Sequence, residues 1–74
     1  MLKIKDNVKL KELERFGFAK IGYKYWRDVD KNWVIVINDK RDICCWNYVY
    51  SGYKRPDKHI QDLIQAGLVE KVEQ

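Results

Sequence analysis

Residues able to do chemistry are sparse in this chain. It has one histidine (His59), one serine (Ser51), no threonine and one pair of cysteines, Cys44 and Cys45. Nucleophilic catalysis needs an activated hydroxyl, thiol or amine beside a base, and general acid–base catalysis needs a positioned group that titrates near the working pH. His59 follows Lys58 on the first turn of an expected surface helix, which suits an exposed structural histidine far better than a base. The carboxylate pairs Asp28/Asp30 and Asp39/Asp42 fall in short polar stretches between apolar runs, where turn formation is sufficient explanation. No glycine-rich phosphate loop occurs. The expectation is a protein that is not an enzyme.

The cysteines point the same way. Being adjacent, they would face opposite sides of a strand, one packed inside as a small hydrophobe and the other free. A vicinal bridge between them would be strained, and two unspaced cysteines with a lone histidine cannot supply the four ligands of a zinc site. No metal or other cofactor is expected.

What remains is a concentration of rings and positive charge in the middle of the chain. All ten aromatic residues lie between Phe16 and Tyr53, and residues 15–55 carry nine basic against four acidic side chains. Residues 56–74 carry two basic and four acidic. Lys20, Lys24, Trp26, Arg41, Trp46, Tyr48, Lys54 and Arg55 are therefore the candidate macromolecule-binding residues. Trp, Tyr and Arg dominate the hot spots of protein interfaces, and a protein surface tolerates the interleaved acids. The alternative is single-stranded nucleic acid, with bases stacked on exposed rings and phosphates held by lysine and arginine. Against both stands the plainer account that most of these rings build the core and its cross-strand pairs. An unidentified protein partner is preferred, because the basic excess is modest.

The elements that must position these residues can be read from periodicity. Leu10, Leu13 and Phe16 share one side of a helix, with Asp6 or Asn7 as N-cap, Gly17 as a left-handed terminator and Phe18 folding back on Leu13. Residues 18–26, 33–38 and 43–50 are rich in aromatic and β-branched side chains and read as three strands. The polar connections at 27–32 and 39–42 are too short for a parallel crossover, so the strands form an antiparallel meander. Pro56 suits the first turn of a second helix, Asp57 its positive end, and Ile60, Leu63 and Ile64 its apolar stripe. Gly67 then repeats the role of Gly17, and Leu68 that of Phe18. Short terminal strands are the remaining option, pairing Val69 and Val72 with Leu2 and Ile4.

The fold expected is thus α+β, in the order α-β-β-β-α, with both helices on one face of a three-stranded sheet. Alternation puts Phe18, Lys20, Lys24 and Trp26 on one side of the first strand and Ile21, Tyr23 and Tyr25 on the other. The lysine-bearing side is expected to face water.

At 74 residues the chain has room for a single domain, residues 1–74, since a domain of this size buries about two thirds of its unfolded surface. Its 46% hydrophobic and 35% charged residues are too apolar for disorder. No apolar run approaches the roughly 20 residues of a membrane span. The opening Met1-Leu2-Lys3-Ile4-Lys5-Asp6 alternates apolar and charged residues and is no secretory signal, so a cytoplasmic location is expected.

The succession of Leu10-Lys11-Glu12-Leu13-Glu14-Arg15-Phe16-Gly17-Phe18, an aromatic meander, and Asp62-Leu63-Ile64-Gln65-Ala66-Gly67-Leu68-Val69-Glu70 resembles small uncharacterised proteins of Gram-positive bacteria and their phages. The resemblance spans most of the chain and implies a phage or mobile-element setting, with no site residue to carry over. The Ala66-Gly67-Leu68-Val69-Glu70 ending is also similar to the close of a winged-helix recognition helix. The preceding helices and following wing of that fold are missing, which excludes it.

Overall fold

The computed structural model describes residues 1–72. Its strands are β1 (Leu2–Ile4), β2 (Ala19–Ile21), β3 (Lys24–Asp30), β4 (Trp33–Ile37), β5 (Ile43–Asn47), β6 (Gly52–Lys54) and β7 (Val69–Lys71). One short α-helix, α1 (Gln61–Gln65), follows a 3₁₀ turn at Asp57–His59, and a longer 3₁₀ helix spans Leu10–Phe16. Strands β2 to β6 form a five-stranded antiparallel meander in sequence order, while β1 and β7 pair as a separate two-stranded ribbon.

The three-stranded sheet flanked by two helices is therefore corrected on three points. Residues 18–26 are not one strand: they fold back at Gly22-Tyr23, so Ile21 pairs with Lys24 and Lys20 with Tyr25. Gly22 takes φ 66° at the first loop position, the pattern of a type II′ hairpin. Residues 43–50 likewise end as a strand at Asn47. Four turn residues follow, and Gly52–Lys54 returns as a fifth strand pairing Tyr53 with Trp46. Asn47 is buried and makes this turn, its Oδ1 accepting from the N–H groups of Val49 and Tyr50, both at 2.9 Å.

The third correction concerns the first helix. Leu10, Leu13 and Phe16 repeat at an interval of three, which is the period of a 3₁₀ helix and not of an amphipathic α-helix. Its end is as expected. Gly17 has φ 85°, its N–H bonds to the Glu14 carbonyl, and the Phe18 N–H bonds to that of Leu13. These are the two bonds of a Schellman motif. Gly67, with φ 76°, repeats it after α1 through Gly67 N–H to Ile64 and Leu68 N–H to Leu63. The terminal pairing also forms, with Leu2 opposite Lys71 and Ile4 opposite Val69.

The core lies on one face of the meander. Tyr25, Ile35, Ile37, Ile43 and Cys45 meet Ile4, Leu13, Phe18, Ile60 and Leu63 from the surrounding elements. Arg27, on the same face, reaches across this layer: it donates to the carbonyls of Phe16 and His59 and to the Asp62 carboxylate. Among the described residues, no helix is long and apolar enough to cross a membrane.

Candidate functional site

Among the described residues, neither helix nor strand lies over the opposite face of the meander. Register places Ile21, Lys24, Trp26, Asp28, Val34, Val36, Cys44, Trp46 and Tyr53 there, because directly paired residues project to the same side. A solvated face of an antiparallel sheet ordinarily alternates to polar residues. Here only Lys24 and Asp28 are charged.

The rings are organised around the two valines. Trp26 and Trp46 lie diagonally across β4, their centroids 6.3 Å apart and their planes at 62°, an edge-to-face contact. Val34 and Val36 are buried in consequence, although among the described residues no other layer covers them. A shallow pocket of about 190 Å³ opens between Lys24, Trp26, Val36, Cys44, Trp46 and Tyr53. At the rim, Tyr53 is 71% exposed and Ile21 63%. The Trp26 Nε1–H is buried without an acceptor, a loss of about 1–3 kcal/mol relative to a satisfied donor. Burial pushes the Cys44 thiol above its ordinary pKa, with nearby Lys24 working in the opposite direction.

Three of the eight sequence candidates, Lys24, Trp26 and Trp46, thus share one surface. The other five do not join them. Lys20 pairs with Tyr25 and so belongs to the side bearing the core, not to the Lys24 side as simple alternation implied. The Gly22 hairpin reverses the parity between Lys20 and Lys24. Lys54 is paired with Cys45 and sets its ammonium 4.2 Å from the centre of the Trp33 ring. Arg41 lies in the β4–β5 turn at φ 74°, its guanidinium donating to the carbonyls of Lys5 and Val8, so its role is structural. Tyr48 is exposed in the β5–β6 turn. Arg55 is exposed and paired with Asp57 at 3.3 Å.

Sequence reasoning missed Tyr53, Val36 and Cys44 as members of the surface. Tyr53 was hidden because Ser51-Gly52 reads as a break before a helix, while the pairing signal of β6 is only three residues long. Among the described residues, no three His, Cys, Asp or Glu side chains come together as metal ligands would. No protein-family model, curated protein or solved structure matches the chain.

Proposed function

We propose that this chain is a non-enzymatic protein-interaction module that binds through the open face of its five-stranded sheet, in the phage or mobile-element setting its sequence resemblance implies. The observation that carries this reading is the uncovered apolar face, with Trp46 and Tyr53 beside a floor of Val34 and Val36. Large aromatic groups around a small apolar depression are the usual make-up of an interface anchor. Single-stranded nucleic acid is supported less well. Stacking needs positive charge tracking beside the rings, but Lys54 covers Trp33 on the other side, Arg41 binds carbonyls, and Arg55 is paired with Asp57. Among the described residues, Lys24 is the one basic side chain that lines the pocket beside the tryptophans.

Capture of protein partners from a Gram-positive lysate, compared between wild type and Tyr53→Ala, tests the reading. Tyr53 is an exposed edge residue, so its truncation leaves the fold intact, as circular dichroism would verify. A partner held by wild type and lost by Tyr53→Ala is the expected result. Identical recovery of every partner by both proteins, with self-association also unchanged in the variant, overturns it. So does a mobility shift of single-stranded DNA or RNA that weakens steeply with salt and is lost in the same variant, which would move the surface to the nucleic-acid reading.

A further inference from the structure

We infer that the partner of the open face is a second copy of this chain, the two sheets packing face to face as a sandwich about a two-fold axis close to Trp26. The inference rests on the protein-binding reading and specifies it. Its basis is the order of charges along β3. Lys24, Trp26 and Asp28 project in succession from the open face, with Trp26 paired to Val36 and Asp28 to Val34. A two-fold axis lying in the interface, perpendicular to the strands and passing over Trp26, runs the second β3 antiparallel above the first. Lys24 of each copy then faces Asp28 of the other. A closed dimer requires a patch that is its own complement, and a cation and an anion placed symmetrically about an apolar centre satisfy that requirement.

The composition of the face fits such packing. An aligned sandwich buries two inner faces about 10 Å apart, and a domain is ordinarily completed by a second layer over each apolar sheet face. Here, among the described residues, the meander is covered by its own chain on the core side. The opposite face offers Ile21, Trp26, Trp46 and Tyr53, over the already buried Val34 and Val36, to a second. Strand spacing and rise give it a projected size of roughly 24 by 16 Å. That is small beside the roughly 800 Å² per partner of a standard stable interface, so the dimer is weak and forms at micromolar or higher concentration.

Sedimentation equilibrium over a concentration range, on the full chain, with a charge-reversal cycle, is the deciding experiment. Wild type should pass from monomer to dimer. Lys24→Glu and Asp28→Lys should each weaken the dimer roughly tenfold or more, because symmetry turns two attractive rim contacts into two repulsive ones. The double variant K24E/D28K should recover most of the wild-type affinity. Circular dichroism of all four proteins separates lost association from lost folding, and Tyr53→Ala provides a second route to weakening without altering charge. Wild type monomeric at all concentrations overturns the inference, as does a dimer indifferent to both reversals. If wild type stays monomeric while Tyr53→Ala still loses a different captured protein, self-pairing fails and the protein-interaction reading stands. If Tyr53→Ala changes nothing in either experiment, both fail.

Discussion

Arg27 and Asp62, thirty-five positions apart in sequence, meet through two hydrogen bonds: Nη1 to Oδ2 at 2.8 Å and Nη2 to Oδ1 at 3.3 Å. The same guanidinium donates to the Phe16 carbonyl at 2.8 Å and the His59 carbonyl at 2.5 Å, and lies 4.5 Å from the centre of the Phe18 ring. One side chain on β3 therefore ties the end of the first 3₁₀ helix and the start of α1 to the meander.

Replacing Arg27 with Ala should be among the most destabilising single changes available. It leaves two carbonyls without their donor and the half-exposed Asp62 carboxylate without its cation, a loss of about 2–4 kcal/mol. Arg27→Lys should recover only a minor part, since an ammonium cannot reproduce the planar fork. Urea denaturation of the three proteins checks both statements. A loss below about 0.5 kcal/mol in Arg27→Ala would show that the clamp is dispensable.

Acid stability should follow from the same contact. The Arg27 hydrogen bond, opposed by partial burial, holds the Asp62 carboxyl below the usual carboxylate range. Asp57 is lowered in the same direction by its hydrogen bond to Arg55. A carboxyl whose folded pKa lies below its unfolded one stabilises the fold above the unfolded value and loses that contribution as pH falls through the folded one. Stability should accordingly be flat from neutrality down to about pH 5 and decline below about pH 4. In Asp62→Asn the neutral-pH stability should be lower and the acid decline shallower. Denaturation midpoints at a series of pH values test this, and an unchanged acid slope would assign the decline to other carboxyls.

The two terminating glycines should be intolerant of side chains for reasons of backbone alone. An added Cβ at Gly17 would meet only Arg27 Cδ at an ordinary 3.7 Å, and at Gly67 nothing within 4 Å, yet their φ values are 85° and 76°. Gly17→Ala and Gly67→Ala should each cost about 1–2 kcal/mol. Gly52→Ala has open space without a positive φ and should change stability by less than about 0.5 kcal/mol. Thermal melts of the three variants would separate them.

The adjacent thiols should differ sharply in reactivity. Cys45 is fully buried and Cys44 half-buried at the open face, both are free, and burial raises the pKa of each. At neutral pH one thiol should react slowly with a disulfide reagent in the native protein, and the second only on unfolding. Cys44→Ala should abolish the native-state reaction and Cys45→Ala should leave it. Two equally fast thiols would mean that β5 opens readily.

How much could be read beforehand depends on how far each signal extends along the chain. Gly17 and Gly67 were legible because helix termination is local: a glycine, then an apolar residue that folds back, as Phe18 and Leu68 do. The pairing of Leu2 and Ile4 with the last strand was legible from apolar positions alone. The turn at Gly22 was missed, and 18–26 read as one strand, because a type II′ turn occupies only two residues and Tyr23 beside it looks like any strand aromatic. That one displaced turn moved Lys20 off the Lys24 face, since a shift of one residue exchanges the sides of a strand. The open surface was half legible. Trp26 and Trp46 stood out by type, but Tyr53 reaches them through the β5–β6 hairpin, and the carbonyl partners of Arg41 are non-local contacts that no spacing in sequence encodes.

The ribbon of β1 and β7 brings residues far apart in sequence side by side: the Val72 N–H bonds to the Met1 carbonyl at 2.8 Å. A short flexible linker could therefore connect Val72 to Met1, and residues 1–72 could be reopened at the exposed Gly22-Tyr23 hairpin tip, where insertions and new termini are best tolerated. Such a circular permutant would keep every strand neighbour while exchanging which contacts are near and which distant along the chain. Its folding rate against that of the parent would then report how much of the barrier is the search to bring Leu2–Ile4 to Val69–Lys71.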